Sequence, residues 1–111
     1  MAAQRVCALA DVGVDAALAL DVDGVAVAVV RTPDEVFAIA DQCSHAAIPL
    51  SEGDVEGCEI ECWLHGSRFD LRTGKPSGLP ATAPIDVYPL TVEGDDVLVD
   101  VTAPLSTSKE N

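Results

Sequence analysis

The sequence predicts an all-β protein, and three of its features carry that prediction. Short runs of apolar, β-forming residues alternate with turns that contain glycine, proline or aspartate along most of the chain. No segment repeats its apolar residues at helical spacing over several turns. An Asp-Gly pair separates two apolar runs, which is a strong local indication of a β-hairpin. We therefore expect strands joined by tight turns and no long helix.

Two hairpins follow each other in the first part of the chain. ALALDVDGVAVAVV predicts strands at about residues 16–20 and 25–31, joined at 23–24, where glycine supplies the positive φ of a tight turn. The sequence TPD at 32–34 then turns the second strand into a third strand at 36–40. These two turns account for three consecutive strands.

The rest of the chain contains one more hairpin and a long loop region. VYPLTVEGDDVLVDV predicts a hairpin that turns at 94–95. Between the hairpins, residues 41–84 are rich in glycine, proline and serine and interrupt the strand pattern. Residues 104–111 are polar and without pattern, so we expect a flexible C-terminal tail after a single domain that spans 1–103.

Length and charge restrict the classes of function. A chain of 111 residues has room for one domain, at a size where a bound metal would add useful stability. Nineteen acidic against six basic residues give a formal net charge of -13, which disfavours nucleic acid and anionic membranes and favours protein partners with basic patches. The start MAAQRVCALADV does not resemble a secretion signal, and no apolar run approaches the length of a membrane span. We expect a cytoplasmic monomer.

Both histidines of the chain stand close to cysteines in the loop region. One motif is Cys43-x-His45, and the other, after sixteen intervening residues, is Cys62-x-x-His65. A hairpin around residues 55–61 would bring the two motifs side by side. Any one of these residues alone could be ordinary packing, but four together are poorly explained that way. Two thiolates and two imidazoles therefore predict a metal centre.

Two kinds of metal centre fit this donor set. Two cysteines and two histidines form a standard tetrahedral zinc set, so a zinc-bound interaction module is one alternative. Zinc sites usually group cysteines in one pair and histidines in another, whereas here each loop contributes one of each, and Gly66 follows the second histidine directly. The mixed arrangement favours a binuclear centre, with both cysteines on one metal and both histidines on the other.

The motifs resemble those of one known family. CSH and CWLHG, followed by SRFD, by the TG of LRTGKP and by the proline-bearing LPATAPIDVYPL, are similar to the pattern of the Rieske [2Fe-2S] proteins. Within that family they resemble the soluble Rieske-type ferredoxins that serve ring-hydroxylating dioxygenases. The similarity runs from about residue 25 to about residue 101. It implies an antiparallel β-sandwich that carries a smaller cluster-binding subdomain, at about 41–84 in this chain.

The resemblance also implies one cofactor, a Rieske-type [2Fe-2S] cluster, and a role for each ligand. Cys43 and Cys62 would hold the inner iron, and His45 and His65 would hold the outer iron nearer to solvent. Two ferric ions, two sulfides and two thiolates sum to zero charge, so one electron leaves only a single negative charge. The neutral imidazoles therefore raise the potential above that of an all-cysteine cluster.

Five further residues near the motifs are candidates for supporting roles. Gly66 would let the backbone approach the cluster closely, and Ser67 would donate a hydrogen bond to a cluster sulfur. Phe69 stands where high-potential relatives have a tyrosine, so we expect a potential toward the low end of the Rieske range of roughly -150 to +300 mV. Trp63 is a candidate for shielding the cluster or for docking, and Pro80 belongs to a third loop that would cover the cluster.

Other residues near the motifs are expected to have simpler roles. Cys58 lies four residues before the second motif, where the family pattern has no ligand, so we expect a buried structural thiol. Cys7 is not expected to bind the cluster either. Arg68, Arg72 and Lys75 are half of the six cations and lie within eight residues of each other, where they would orient docking or simply solvate the surface.

The function implied by this resemblance is one-electron transfer. The chain would take electrons from a ferredoxin reductase and pass them to a terminal, ring-hydroxylating non-heme iron oxygenase, in brief encounters with basic docking patches. No set of acid, base and nucleophile is apparent, so we expect a carrier and not an enzyme. Two alternatives share the cluster: the small subunit of a nitrite-reductase-type complex, and an accessory ferredoxin of iron-sulfur cluster assembly.

Overall fold

The structure is a computed structural model that describes residues 3–33, 35–42, 49–62, 68–76 and 85–101. Over these residues the chain forms ten strands in three antiparallel sheets and two single 3-10 turns, with no α-helix. The strands are β1 (Gln4–Ala8), β2 (Ala16–Val22), β3 (Val25–Arg31), β4 (Val36–Ala40), β5 (Val55–Glu56), β6 (Glu59–Glu61), β7 (Arg68–Asp70), β8 (Val87–Tyr88), β9 (Leu90–Glu93) and β10 (Asp96–Val99). The 3-10 turns are Leu9–Asp11 and Leu50–Glu52. The predicted all-β class is confirmed.

The central sheet has the order β2-β3-β4-β8 and contains the three strands predicted from the first two hairpins. The first of them extends two residues beyond the predicted 16–20, to Val22, while those at 25–31 and 36–40 keep the predicted bounds. β8 adds to the free edge of β4 by two residue pairs. The third predicted hairpin, which turns at 94–95, is also present, as β9 and β10.

The two turns of the central sheet are closed by different devices. Asp23 and Gly24 both have positive φ, +53° and +82°, as a type I′ hairpin turn requires. In the next turn the buried Thr32 donates its backbone N–H to the carbonyl of Glu35 at 2.8 Å. Its hydroxyl oxygen accepts the N–H of Glu35 at 3.0 Å. Asp34 of this turn lies outside the described residues.

β3 is buried on both faces, which shows that the central sheet has a layer on each side. Val27, Ala28, Val29 and Val30 have no solvent-exposed surface. Because side chains alternate along a strand, Val27 and Val29 face one layer while Ala28 and Val30 face the other. Because both faces of β3 are buried, its sequence is apolar at consecutive positions and not only at alternate ones.

On one side of the central sheet lies a second sheet of order β1-β10-β9. The apolar residues between these two sheets form what we call the distal core. β1 contributes Cys7 to it, and β10 contributes Val97 and Val99. The complete set of buried residues in the distal core is Cys7, Val12, Val22, Val27, Val29, Ala38, Tyr88, Val97 and Val99.

On the other side lies a small third sheet of order β5-β6-β7, inside the range predicted to form the cluster-binding subdomain. Ile60 of β6 and Phe69 of β7 are directly opposite each other, and both are fully buried. They belong to a second set of buried residues, the loop-side core. Its members are Ala28, Val30, Ile39, Leu50, Ile60, Cys62, Phe69, Leu71, Ile85 and Val87. The division into domain, subdomain and tail stays a prediction, and the tail at 104–111 lies outside the described residues.

Candidate metal centre

The predicted site is described in part. Of the four predicted ligands the structure places Cys62, and of the five supporting candidates it places Phe69. The remaining predicted site residues lie in the segments 43–48, 63–67 and 77–84, outside the described residues: Cys43, His45, Trp63, His65, Gly66, Ser67 and Pro80. The residues that flank all three segments are described, and they define the base on which the predicted loops stand.

Cys62 follows the last residue of β6 and is fully buried in the loop-side core. Its thiol is not in a disulfide. Cysteine sulfur is a soft ligand that iron-sulfur clusters use, and apolar side chains around it keep water away from the metal. The surroundings of Cys62 therefore fit the proposed cluster.

Phe69 lies in the same core as Cys62 and is also fully buried. Its backbone pairs with Ile60 of β6 on one side and forms a β-bridge to Pro76, beyond β7, on the other. Phenylalanine contributes packing here but has no hydroxyl, so it cannot donate the hydrogen bond that a tyrosine at this position could donate. The predicted proximity of Phe69 to the second motif is consistent with this placement, and its effect on the potential stays a prediction.

The two ends of the first ligand-bearing segment are tied together by Asp41 and Ser51. The backbone N–H of Ser51 donates to Oδ1 of Asp41 at 2.7 Å, and the hydroxyl of Ser51 donates to Oδ2 at 2.8 Å. Asp41 is itself tied to the central sheet, because its N–H donates to the carbonyl of Ala26 at 3.0 Å. The segment with Cys43 and His45 therefore starts and ends at one hydrogen-bonded pair.

The second segment begins at Cys62, and Gly53 packs against the backbone just before it. A Cβ atom at Gly53 would overlap the carbonyl oxygen of Glu61. The N–H of Glu61 donates to the carbonyl of Asp54 at 2.8 Å, so the two chain segments run in direct backbone contact. Glycine is required here for space and not for conformation, since φ of Gly53 is -89°.

The third segment, 77–84, has a similar base. Gly74 has φ of +77°, and a Cβ atom there would overlap the carbonyl oxygen of Ile85. The N–H of Ile85 donates to the carbonyl of Gly74 at 2.8 Å. Both the positive φ and the close approach favour glycine at this position, the glycine of the LRTGKP motif.

Two of the three cations near the second motif, Arg68 and Arg72, are engaged in ion pairs on the surface. Nη1 of Arg68 lies 3.2 Å from a carboxylate oxygen of Glu56 and 3.8 Å from one of Glu59. Nη2 of Arg72, in the turn after β7, lies 2.9 Å from a carboxylate oxygen of Glu35, in the turn between β3 and β4. These pairs moderate the local negative charge, while a role in docking stays a prediction.

An open, acidic cleft of about 620 Å³ lies beside the small sheet. Carboxylates dominate its polar lining, and Arg68 is the basic residue among them. The lining residues are Asp15, Ala16, Ala17, Ser51, Gly53, Asp54, Val55, Glu56, Glu59, Glu61 and Arg68. The excess of negative charge that the composition predicts is thus present next to the segment that leads into Cys62.

The two remaining cysteines differ from one another. Cys58 was expected to be buried, but it lies in the turn between β5 and β6 and is only half-buried, because a two-residue turn projects beyond the sheet that packs on the core. Cys7 is buried in the distal core, and this burial, followed by the charge of Asp11, raises the pKa of its thiol. Neither lies in a group of three or more potential metal ligands within the described part of the chain.

Sequence reasoning missed three residues at the base of the site, namely Asp41, Ser51 and Gly53. Aspartate and serine side chains often form hydrogen bonds to the backbone at turns, and the stretch LSEG after the first motif contains both a serine and a glycine. Those signals mark a turn, but they do not reveal which residues pair.

Comparison with known proteins identifies the family. Residues 2–89 match the Rieske [2Fe-2S] domain. The chain is 38% identical over 107 residues to the ferredoxin component of biphenyl 2,3-dioxygenase from Rhodococcus jostii, covering 96% of this chain and 100% of the relative. It is 43% identical over 96 residues to the ferredoxin subunit of 3-phenylpropionate/cinnamic acid dioxygenase from Escherichia coli K12, covering 86% and 90%. The chain therefore belongs to the Rieske [2Fe-2S] family.

Solved structures agree with this assignment. The ferredoxin of carbazole 1,9a-dioxygenase from Nocardioides aromaticivorans matches with a TM-score of 0.85 at 42% identity, over 90% of this chain and 98% of that chain. A chain from the complex of reduced oxygenase and oxidized ferredoxin in carbazole 1,9a-dioxygenase matches with a TM-score of 0.82 at 34% identity, over 88% and 92%. Within its family the chain is thus a ferredoxin of the type found in aromatic ring-hydroxylating dioxygenase systems, an electron carrier and not a catalyst.

These findings confirm the predicted family, fold, [2Fe-2S] cofactor and carrier role. The match to the Rieske [2Fe-2S] domain rules out the zinc-bound interaction module. The assignment of the individual ligands stays a prediction, since three of the four lie outside the described ranges. No helix among the described residues is long and apolar enough to cross a membrane.

Proposed function

We propose that this ferredoxin accepts single electrons from a ferredoxin reductase and delivers them to the terminal oxygenase of an aromatic ring-hydroxylating dioxygenase. The observation that carries the proposal is its likeness, over most of its length, to ferredoxins of three such systems, at identities from 38% to 43%. A related ferredoxin occurs in a complex with its oxygenase. The reductase completes the proposal because a carrier must be loaded before it can deliver.

The ligand set belongs to the same proposal. Cys43 and Cys62 would bind one iron through thiolates, and His45 and His65 the other through imidazoles. When bound, the cluster supplies a one-electron couple. Cys62 anchors this set to the loop-side core, where exclusion of water limits hydrolytic loss of the metal. Gly66, Ser67, Trp63, Phe69 and Pro80 are the proposed surrounding residues, with the roles that the resemblance implies.

The acidic surface supports partners with basic docking patches. The formal net charge is -13, and the cleft beside the small sheet concentrates carboxylates next to β6, which directly precedes Cys62. Charge of one sign attracts an oppositely charged partner and orients it before contact, which suits a carrier that must bind and leave quickly. We propose that basic patches of the reductase and of the oxygenase meet this side of the molecule.

Stable assembly as a subunit is the weaker alternative. The small subunit of a putative nitrite reductase matches with a TM-score of 0.80, but the identity of 20% makes this a likeness of fold alone. Within the described residues, the exposed large apolar side chains are Val14, in the turn before β2, and Val92, on the edge strand β9, and two isolated side chains do not provide the apolar patch of a permanent interface. A monomeric shuttle follows.

A cytoplasmic location goes with this proposal. Cys7, Cys58 and Cys62 are all free thiols, as expected in a reducing compartment. Fractionation of cells that express the chain should recover it, with its red-brown colour, in the cytoplasmic fraction. Recovery with the membranes or in the periplasm would contradict the proposed location.

Reconstitution tests the proposed partners. The reductase and oxygenase components of biphenyl 2,3-dioxygenase, mixed without their own ferredoxin, should regain product formation when this chain is added. The electron-transfer rate should fall as salt rises, because screening confines the field to about 8 Å near physiological ionic strength. No product with the dioxygenase components, together with electron acceptance by a nitrite reductase, would contradict the proposal.

A matched pair of charge variants locates the docking side. Asp54 lines the acidic cleft, whereas Asp95 lies in the turn between β9 and β10, and both side chains are exposed. Each substitution to asparagine removes one negative charge. Asp54→Asn should slow electron transfer at low salt more than Asp95→Asn. Equal slowing would mean that only the net charge matters and that the cleft is not the docking side.

A further inference from the structure

The 3-10 turn at Leu50–Glu52 lies between the starts of both ligand-bearing segments. Ser51 of this turn is bonded to Asp41, two residues before Cys43. Gly53, directly after the turn, touches the backbone of Glu61, one residue before Cys62. We propose that Asp41, Ser51 and Gly53 are positioning residues that set the distance between the two ligand-bearing segments. This inference rests on the ligand set of the proposed function.

The bond between Asp41 and Ser51 has the geometry of a rigid clasp. Both oxygens of the carboxylate accept from the same residue, one from its N–H at 2.7 Å and one from its hydroxyl at 2.8 Å. Hydrogen bonds to a carboxylate are shorter and stronger than those between neutral groups, and these two are partly buried. Two bonds to one residue fix orientation as well as distance.

The clasp is fixed at both of its ends to the interior of the protein. The N–H of Asp41 donates to the carbonyl of Ala26, so one end is attached to the central sheet. Leu50, next to Ser51, is fully buried in the loop-side core, so the other end is attached there. The clasp therefore joins the central sheet to the loop-side core. These two parts of the fold fix where the segment between Asp41 and Ser51 starts and ends.

The contact at Gly53 transmits this placement to the second segment. The N–H of Gly53 donates to the carbonyl of Leu50 at 2.9 Å, which keeps the chain turning directly after the clasp. The carbonyl of Glu61 then occupies the space that a side chain at position 53 would fill. The backbone that leads into Cys62 is thus seated against the same turn that closes the segment of Cys43.

The separation of the two segments matters because both proposed thiolates must reach one iron. Functional constellations need to be held within about 0.5 Å of their productive geometry by residues around them. Loss of the clasp would leave both thiolates present but their spacing variable. Release of iron and a change in the electronic environment of the cluster should follow, even where the fold is retained.

A plain stabilising role is separated from positioning by a matched control elsewhere. Thr32 also closes a turn with two side-chain hydrogen bonds, to the carbonyl and the N–H of Glu35, and it is buried. Thr32→Val removes both bonds in a part of the sheet that carries no proposed ligand. It should lower the stability of the protein without changing the cluster.

The experiment uses the complete, cluster-loaded chain in five forms: unmodified, Asp41→Ala, Ser51→Ala, Ser51→Thr and Thr32→Val. The electron paramagnetic resonance spectrum of the reduced protein and the rate of iron release to a chelator are measured on each. Loss of a hydrogen bond to a charged group corresponds to about a tenfold faster release. Ser51→Ala, which loses the hydroxyl bond, should release iron about that much faster with shifted g-values, and Asp41→Ala, which loses both bonds, should release it faster still. Ser51→Thr keeps the hydroxyl and should match the unmodified chain.

Two further variants sharpen the result. The double variant Asp41→Ala/Ser51→Ala should behave like Asp41→Ala, because Asp41→Ala already removes both hydrogen bonds of the clasp, whereas Ser51→Ala removes only the one from the hydroxyl. Gly53→Ala should shift the spectrum in the same direction, since the carbonyl of Glu61 must move.

The inference is overturned if Asp41→Ala and Ser51→Ala keep the spectrum and release rate of the unmodified chain, or if Thr32→Val changes both equally. An unmodified chain without a Rieske-type spectrum would instead overturn the proposed ligand set, and this inference with it. The two failures are distinguishable because one appears only in the variants.

Discussion

Cys7 and Cys62 lie on opposite sides of the central sheet and are buried to nearly the same degree, at 6% and 0% exposure. Cys7 lies within β1, paired with Val97 of β10, so strand backbone lies on both sides of it, with a shift of register between Arg5 and Cys7. Cys62 lies just past the end of β6, where the sheet ends and a loop begins. The two cysteines are thus both buried, but Cys7 lies inside a strand and Cys62 lies just beyond the end of one.

That difference separates a structural thiol from a candidate ligand. A cysteine inside a sheet directs its sulfur into a filled core, whereas a cysteine at a strand end can direct it toward a group held by adjacent loops. The loop-side core accordingly supports the proposed metal centre, while the distal core supports only the sandwich. Three pairs of variants and one pH titration test whether the two cores differ in this way.

The largest effect is expected at the two cysteines themselves. Cys62→Ala should abolish or grossly alter the cluster, because it removes one of four proposed ligands. Cys7→Ala should keep the full iron and labile sulfide content of the unmodified chain. Chemical analysis and the visible absorption spectrum distinguish the two, and a bleached Cys7→Ala beside a coloured Cys62→Ala would reverse the comparison.

Val30 and Val29 provide a second pair, on opposite faces of the same strand. Both are fully buried, Val30 in the loop-side core and Val29 in the distal core. Substitution of either by alanine should cost about 2 kcal/mol of stability, from lost burial and the cavity left behind. Only Val30→Ala should also speed the release of iron. Denaturant unfolding and chelator kinetics measure the two effects, and equal release rates would show that the cores are not functionally distinct.

The aromatic residues Phe69 and Tyr88 give a third pair, again one in each core. Phe69→Tyr introduces a hydroxyl that can donate to a cluster sulfur and should raise the midpoint potential by roughly 40 mV, equivalent to about 1 kcal/mol for one electron. Ser67→Ala should lower it, because a donor is removed. Tyr88→Phe, in the distal core, should leave it unchanged. Film voltammetry at one pH decides, and an unchanged midpoint in both Phe69→Tyr and Ser67→Ala would assign the tuning to other groups.

The smallest effect concerns the alkaline limit of stability. Burial, together with the nearby Asp11, raises the pKa of the Cys7 thiol above its ordinary value of 9.0. As the pH rises past that ordinary value, the unfolded chain loses the thiol proton while the folded chain keeps it, so the folded state becomes less stable. Cys7→Ala should flatten this decline, measured as the denaturation midpoint of the cluster-free protein. An equally steep decline in the variant would show that Cys7 does not cause it.

The hairpins of the central sheet could be predicted because their determinants are local. Asp23 and Gly24 define a turn by their own conformational preferences, and the flanking apolar runs supply the strands. The ligand motifs were recognisable for a similar reason, since each pair of candidate ligands lies within four consecutive residues. A site whose residues lie close together in the sequence can be recognised from one sequence.

The base of the site could not be predicted, because its contacts join residues that are distant in sequence. Asp41 and Ser51 are ten residues apart, and the identity of neither residue indicates that they form a hydrogen bond with each other. The need for glycine at position 53 arises only once Glu61 is placed against it. The half-exposure of Cys58 likewise depends on how far the turn after β5 projects, which is a property of the packed sheets.

We propose that two sulfurs and two imidazole nitrogens hold one [2Fe-2S] cluster at the loop-side core. The chain contains only two histidines, His45 and His65, so histidine labelled with ¹⁵N reports on these positions alone. Pulsed electron paramagnetic resonance of the reduced, labelled protein measures the coupling directly. We expect hyperfine coupling from two histidine nitrogens in a protein with equal iron and labile sulfide. Iron without nitrogen coupling, or bound zinc in its place, would contradict it.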